Sequence, residues 1–197
     1  MNEDFINYVK GLIESNGRPN MGRNRFEHSI RVLKMCEQIQ QHVGGDIEVL
    51  RYAALLHDIG WEKDIPHAEV SFNLAKKILT DIELESSKKD LILKCILNHS
   101  NKDNTDANIS LEEKILMDAD ALDESGCLGV IFSSINNYRL STEVNYKSVL
   151  DRIYFDIERY NSKLSYQLHL DYSKSLMTSR ISFIEEFCNQ MKKELFL

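Results

Sequence analysis

The chain has 197 residues, 43% of them hydrophobic and 28% charged, with a net charge of −7 and a pI of about 5.4. That length allows one domain, or two small ones, with a substantial core. The acidic balance argues against a broad nucleic-acid footprint, and no apolar run is long enough to span a bilayer. Eight glycines and two prolines fall well below the usual share of about 12%, which points to long helices rather than a turn-rich sheet.

The segment from Met1 to Asp4 is acidic and has no apolar stretch, so no export signal is expected. Four scattered cysteines, Cys36, Cys95, Cys127 and Cys188, contain no CxxC pair and read as buried thiols of a reducing, cytoplasmic compartment. A first helix is expected over Glu3 to Ser15, then a loop from Asn16 to Gly22. A second helix runs from about Arg25 to His42, with Val32, Met35, Cys36, Ile39 and Val43 recurring at the 3.6-residue period, and Gly44-Gly45 stops it. Asp46 is placed to cap a third helix reaching about Ile59, where Gly60 ends it. Asp64 beside Pro66 reads as the start of a fourth, ending near Leu79, and Ser86 or Ser87 opens a fifth. Asn104 to Asn108 is a polar loop. Ser110 to Glu113 forms a capping-box pattern for a helix through Leu122. Helical periodicity continues over about 127–138, 146–160 and 162–195, interrupted near Ser141 to Asn145. The expectation is a single all-α helical bundle over residues 1–197.

The polar residues on these stripes carry the chemistry. His28 lies four before Val32, His57 three after Ala54, His67 three before Val70 and His99 three after Ile96. Helical residues three and four apart share a face, so four of the six histidines point inward from four helices. Asp58 follows His57 directly, and Asp118 and Asp120 interrupt an otherwise apolar helix. Periodicity does not choose between those two acids. A single inward histidine is ordinarily a hydrogen-bonded core residue. Buried carboxylates cost several kcal/mol unless paired or metal-bound, and these stripes offer few polar partners. A divalent cation would satisfy the group together.

At these residues the chain resembles the HD superfamily of metal-dependent phosphohydrolases, in its small stand-alone bacterial form. The resemblance rests on His28 in Arg25-Phe-Glu-His28-Ser, on His57-Asp58 in Ala-Ala-Leu-Leu-His57-Asp58-Ile-Gly60, and on Asp120 in Asp-Ala-Asp120-Ala-Leu. It covers about 26–129, and the stretch with Arg180 and Phe183 to Phe187 resembles the family's helical tail. It implies an all-α HD fold and ligation of a divalent ion (Mn, Fe, Co, Ni, Zn or Mg) by His28, His57, Asp58 and Asp120. Asp118 and Asp123 are then supporting or solvent-facing acids. His67 and His99 fall where some subfamilies hold a second ion, with Asp58 as the bridge; otherwise they line the pocket and contact substrate. Trp61 replaces the lysine of the cyclic-dinucleotide branch, and no Gly-Tyr-Pro occurs.

The implied activity is phosphoester hydrolysis on a nucleotide or related small phosphorylated substrate, with Asp58, His67 and His99 as catalytic residues. Arg25 and Lys63 are the expected substrate contacts, Arg25 within a cluster with Arg18 and Arg23, and Lys63 beside Glu62 just after the doublet. Arginine's planar fork suits phosphate oxygens. Two rival readings are a di-iron oxygenase on the same fold and a helical regulatory module without catalysis.

Overall fold

The computed structural model describes residues 2–18, 24–101, 108–142 and 144–197, with the side chains of Ser165 and Tyr166 left aside. Arg23 and most of the loops expected over 16–22 and 104–108 lie outside the described residues. Among the described residues all the regular structure is helical, and one isolated bridge joins Glu62 to Ile65. The helices are α1 (Glu3–Ser15), α2 (Arg25–Val43), α3 (Ile47–Leu56), α4 (His67–Thr80), α5 (Ser86–Asn98), α6 (Leu111–Leu122), α7 (Cys127–Leu140), α8 (Tyr146–Tyr166) and α9 (Asp171–Glu194). The chain packs as two compact units, residues 1–120 and 121–197, and their boundary falls inside α6.

In the first unit α3 is the central element. Val49, Leu50, Ala53, Ala54, Leu55 and Leu56 are all buried, so this helix is apolar nearly all round, as a core helix must be. α2 and α5 pack against it. Asp46 caps it as expected, accepting from the Glu48 and Val49 amides at 2.9 and 3.3 Å. Its helical run ends at Leu56, three residues before the expected Ile59, which leaves His57 and Asp58 in the closing turn. Gly60 stops nothing by a left-handed backbone. A Cβ there would lie 2.5 Å from the Ser71 amide nitrogen, and the Gly60 amide donates to Ser71 Oγ at 3.0 Å. The glycine lets the doublet's turn press against α4.

α4 corrects a second expectation. Its cap position is Pro66, without a side-chain cap. Asp64 instead holds a left-handed φ of 66° within the exposed 62–65 turn. α6 opens as read: Glu113 N donates to Ser110 Oγ at 3.2 Å and Ser110 N donates to Glu113 Oε2 at 3.0 Å. Glu113 also accepts from Asn98 Nδ2 at 2.7 Å and pairs with Lys94 Nζ at 3.0 Å, which ties this cap to the end of α5.

In the second unit α8 packs against α7 and α9, and the two long helices bury Leu150, Ile153 and Ile157 (α8) and Met177, Ile181 and Ile184 (α9). α8 continues past the expected break at residue 161 to Tyr166. The turn comes at 167–170, with Leu168 buried, and no glycine or proline marks it. Arg180 Nη1 donates to Leu122 O at 2.7 Å and Ser125 Oγ at 2.9 Å, fastening the turn after α6 to α9. Of the four cysteines expected to be buried, the structure buries Cys36, Cys95 and Cys188 but leaves Cys127 exposed at the start of α7.

Candidate metal centre

Helix ends of the first unit deliver the site. His57 follows α3 and His99 follows α5, each as the C-terminal cap residue. The carbonyls of a last helical turn lack intrahelical donors. Both rings supply one: His57 Nδ1 donates to Ala54 O at 2.7 Å and His99 Nδ1 to Ile96 O at 2.6 Å. A carbonyl can only accept, so each Nδ1 carries the proton and each Nε2 presents a bare lone pair. His28 comes from the first turn of α2, whose cap Asn24 accepts from the Glu27 amide at 3.0 Å. His67 is the first residue of α4, and Asp120 lies near the end of α6.

These groups meet closely. His28 Nε2 lies 3.2 Å from His57 Nε2 and 3.3 Å from Asp120 Oδ1, and His57 Nε2 lies 4.0 Å from the same oxygen. Asp58 Oδ2 is 4.0 Å from His28 Nε2. On the other side of His57, the His99 ring packs edge-on with centroids 4.9 Å apart, and His99 Nε2 is 3.0 Å from His67 Nε2. His67 Nε2 is 3.6 Å from Asp58 Oδ1. Two overlapping sets therefore exist, His28–His57–Asp120 and His57–Asp58–His99, each with ligand atoms within 4.8 Å of one another. Metal–nitrogen bonds of about 2.0–2.1 Å place neighbouring ligands roughly 3–3.4 Å apart, close to the shorter separations here. Lone pairs turned toward one another and toward carboxylates fit a cation better than they fit each other. The residues present therefore suit a divalent ion.

The electrostatics agree. Burial, followed by the neighbouring His99, lowers the His57 pKa to about 3. Burial likewise lowers His67 to about 4, with Asp58 opposing. Both imidazoles are thus neutral, as ligands must be. Burial alone would raise Asp58, but His57 and Arg18 outweigh it and hold the carboxyl below its usual range. Asp120 behaves alike: burial opposes ionisation and His28 overrides it.

His28, His57, Asp58 and His99 are buried, while His67 and Asp120 are half-buried at the rim. Asp118 is fully buried and stands outside both sets. Arg25 Nη1 lies 3.6 Å from Asp58 Oδ2. Lys63 and Glu62 stand exposed on the 62–65 turn, outside both sets. Sequence reasoning gave Arg18 too little weight and missed Asn16. Arg18 Nη1 donates to Asp58 Oδ1 at 2.6 Å. Asn16 sets it there, with Nδ2 donating to Ile59 O at 3.0 Å and Oδ1 accepting from the Arg18 amide at 2.9 Å. An Asn-Gly-Arg sequence after a helix was the available signal.

The chain is similar in part to curated proteins and, over nearly its whole length, to solved folds. Ribonuclease Y of Treponema denticola is 37% identical over 68 residues, 32% of this chain and 13% of that protein. Ribonuclease Y of Mycoplasma mycoides is 33% identical over 103 residues, 50% of this chain and 19% of that protein. The chain thus spans less than a fifth of these relatives. Two solved structures share the fold over nearly the whole chain. An HD-superfamily hydrolase of Bacillus thuringiensis has a TM-score of 0.74 at 22% identity, covering 98% of this chain and 95% of that one. YpgQ of Bacillus subtilis, in complex with ADP, has a TM-score of 0.69 at 17% identity, covering 97% and 93%. The HD domain family model matches residues 25–125, a span that contains every member of both ligand sets, and the chain belongs to the HD domain family.

Proposed function

We propose that this protein is a metal-dependent phosphohydrolase acting on a nucleotide or a related small phosphoester. The observation that carries the reading is the paired donor sets around His57, whose nitrogen and carboxylate oxygen atoms come from the start of α2, the end of α3, the end of α5 and α6. His28, His57, Asp58 and Asp120 would hold the ion. A divalent ion bound there would lower the pKa of a water and polarise a phosphoryl oxygen. The chain's own contribution is geometry and charge. The Ala54 and Ile96 carbonyls fix two rings, and Asp58 is oriented by Arg18 at 2.6 Å. Arg18 and Arg25 place positive charge at the centre of an acidic protein, where a phosphate must enter. Half-buried His67 is the proposed substrate contact nearest the ion, and Lys63 the proposed outer cation. The nucleotide class is supported by YpgQ, whose structure holds ADP.

The second set, His57–Asp58–His99 with His67 beside it, favours capacity for two ions. The test is elemental analysis of purified protein, then phosphate release from a nucleotide panel with Mn, Co, Ni and Mg. The expected result is one or two ions per chain and hydrolysis of at least one nucleotide. Two irons per chain without phosphate release would replace this reading with an oxygenase. A chain that binds no divalent ion would be a regulatory module.

A further inference from the structure

α7 is built the wrong way round for a helix of a solitary molecule. Its buried side is small and polar: Gly129, Ser133, Asn136 and Asn137. Ser133 Oγ donates to the buried Asp156 carboxylate at 2.7 Å, and Asn137 Nδ2 donates to Ser148 Oγ at 3.0 Å. Its outer side is apolar: Leu128, Ile131, Ile135 and Tyr138 are 46%, 57%, 39% and 74% exposed. Amphipathic helices place these classes oppositely, and an exposed contiguous apolar stripe marks a contact surface.

The spacing says what covers it. Intervals of three, four and three residues are the a/d seam of a two-helix contact. The seam reads the same from either end, so an antiparallel copy sets Leu128 against the partner's Tyr138 and Ile131 against the partner's Ile135. A two-fold pairing of one surface with itself closes without leaving a free end. Charge favours a second copy as well. Arg139 is the only ionised residue in α7, so two chains of net charge −7 meet there without like charges facing. Ser134 sits between the seam residues, and its hydroxyl already donates to Val130 O at 2.8 Å. Burying it orphans no donor. A standard interface buries ~800 Å² per partner, and Leu140, Val144 and Tyr146 are further exposed apolar side chains where the chain leaves the helix.

We infer that α7 is a homodimer interface, pairing antiparallel with α7 of a second copy. Sedimentation velocity of the full chain from low to high micromolar concentration should show twice the 22.9 kDa chain mass. Ile131→Glu should return it to 22.9 kDa with an unchanged circular dichroism spectrum. A monomer at all concentrations, or a dimer untouched by Ile131→Glu, overturns the inference. Orientation is read separately, in proteins whose exposed Cys127 is first changed to Ser. Mixed under mild oxidation, Leu128→Cys and Tyr138→Cys chains should cross-link to each other and neither to itself. Self-cross-linking of each would mean parallel pairing and overturn it. The cross-linking pattern decides the matter even if Ile131→Glu misfolds.

Discussion

His57 belongs to both ligand sets. His57→Ala should therefore remove bound metal and phosphate release together, while the helical dichroism persists. Elemental analysis with an activity assay checks this, and full metal content in the variant would contradict the assignment. That these histidines and aspartates would come together was largely legible, because a histidine or aspartate on an apolar stripe breaks the pattern it sits in. His28, His57, Asp58 and His99 are all buried. The choice of Asp120 over Asp118 was not legible from periodicity. Asp118 is the more deeply buried of the two, yet Asp120 is the one 3.3 Å from His28. Arg18 and Asn16 escaped weighting because loop side chains have no period, and their partners are 40 and 43 residues away.

At the scale of elements, two small features hold the ligand-bearing helix ends. Gly60 is the first. A Cβ there would meet the α4 backbone at 2.5 to 2.9 Å, where nothing flexible can yield. Gly60→Ala should cost about 1–3 kcal/mol, as overpacking does, and lower metal affinity by shifting Asp58. Urea unfolding and metal titration would show it. The sequence marked Gly60 as a helix stop because a close approach between backbones leaves no local trace. Glu113 is the second. Burial opposes its ionisation, but Asn98, Ser110 and Lys94 outweigh that and lower its pKa below the ordinary 4.5. A carboxyl depressed in the folded state stabilises above its unfolded pKa and loses that contribution as pH falls through the folded value. Glu113→Gln should therefore be less stable by about 0.5–2 kcal/mol at neutral pH. The wild-type advantage should shrink below pH 4.5, read as converging urea midpoints. Helix boundaries were readable where caps mark them, at Asp46 and Ser110. They slipped where none does, at Pro66 and in the turn after Tyr166.

The all-helical class of the whole molecule followed from scarce glycine and proline and from sustained 3.6-residue periods. Its division into two units did not, because the boundary lies within α6, a continuous helix with no change of composition. Ion binding should register in global unfolding. A ligand at a hundred times its Kd stabilises the folded state by ~2.7 kcal/mol, or roughly 5–10 °C for a chain of this size. Adding chelator should lower Tm by that order in the wild type and leave His57→Ala unmoved; an equal shift in both would place the ion elsewhere.

The two imidazoles that answer to Ala54 and Ile96 take their aim from where α3 and α5 happen to stop. Their tautomer is written in main-chain phase rather than in any neighbouring side chain. Substitutions along either helix can accumulate without disturbing it, but one inserted residue ahead of His57 or His99 would swing that ring by about 100° around the axis. Lineages of this fold should thus tolerate change of letter in these helices far better than change of length.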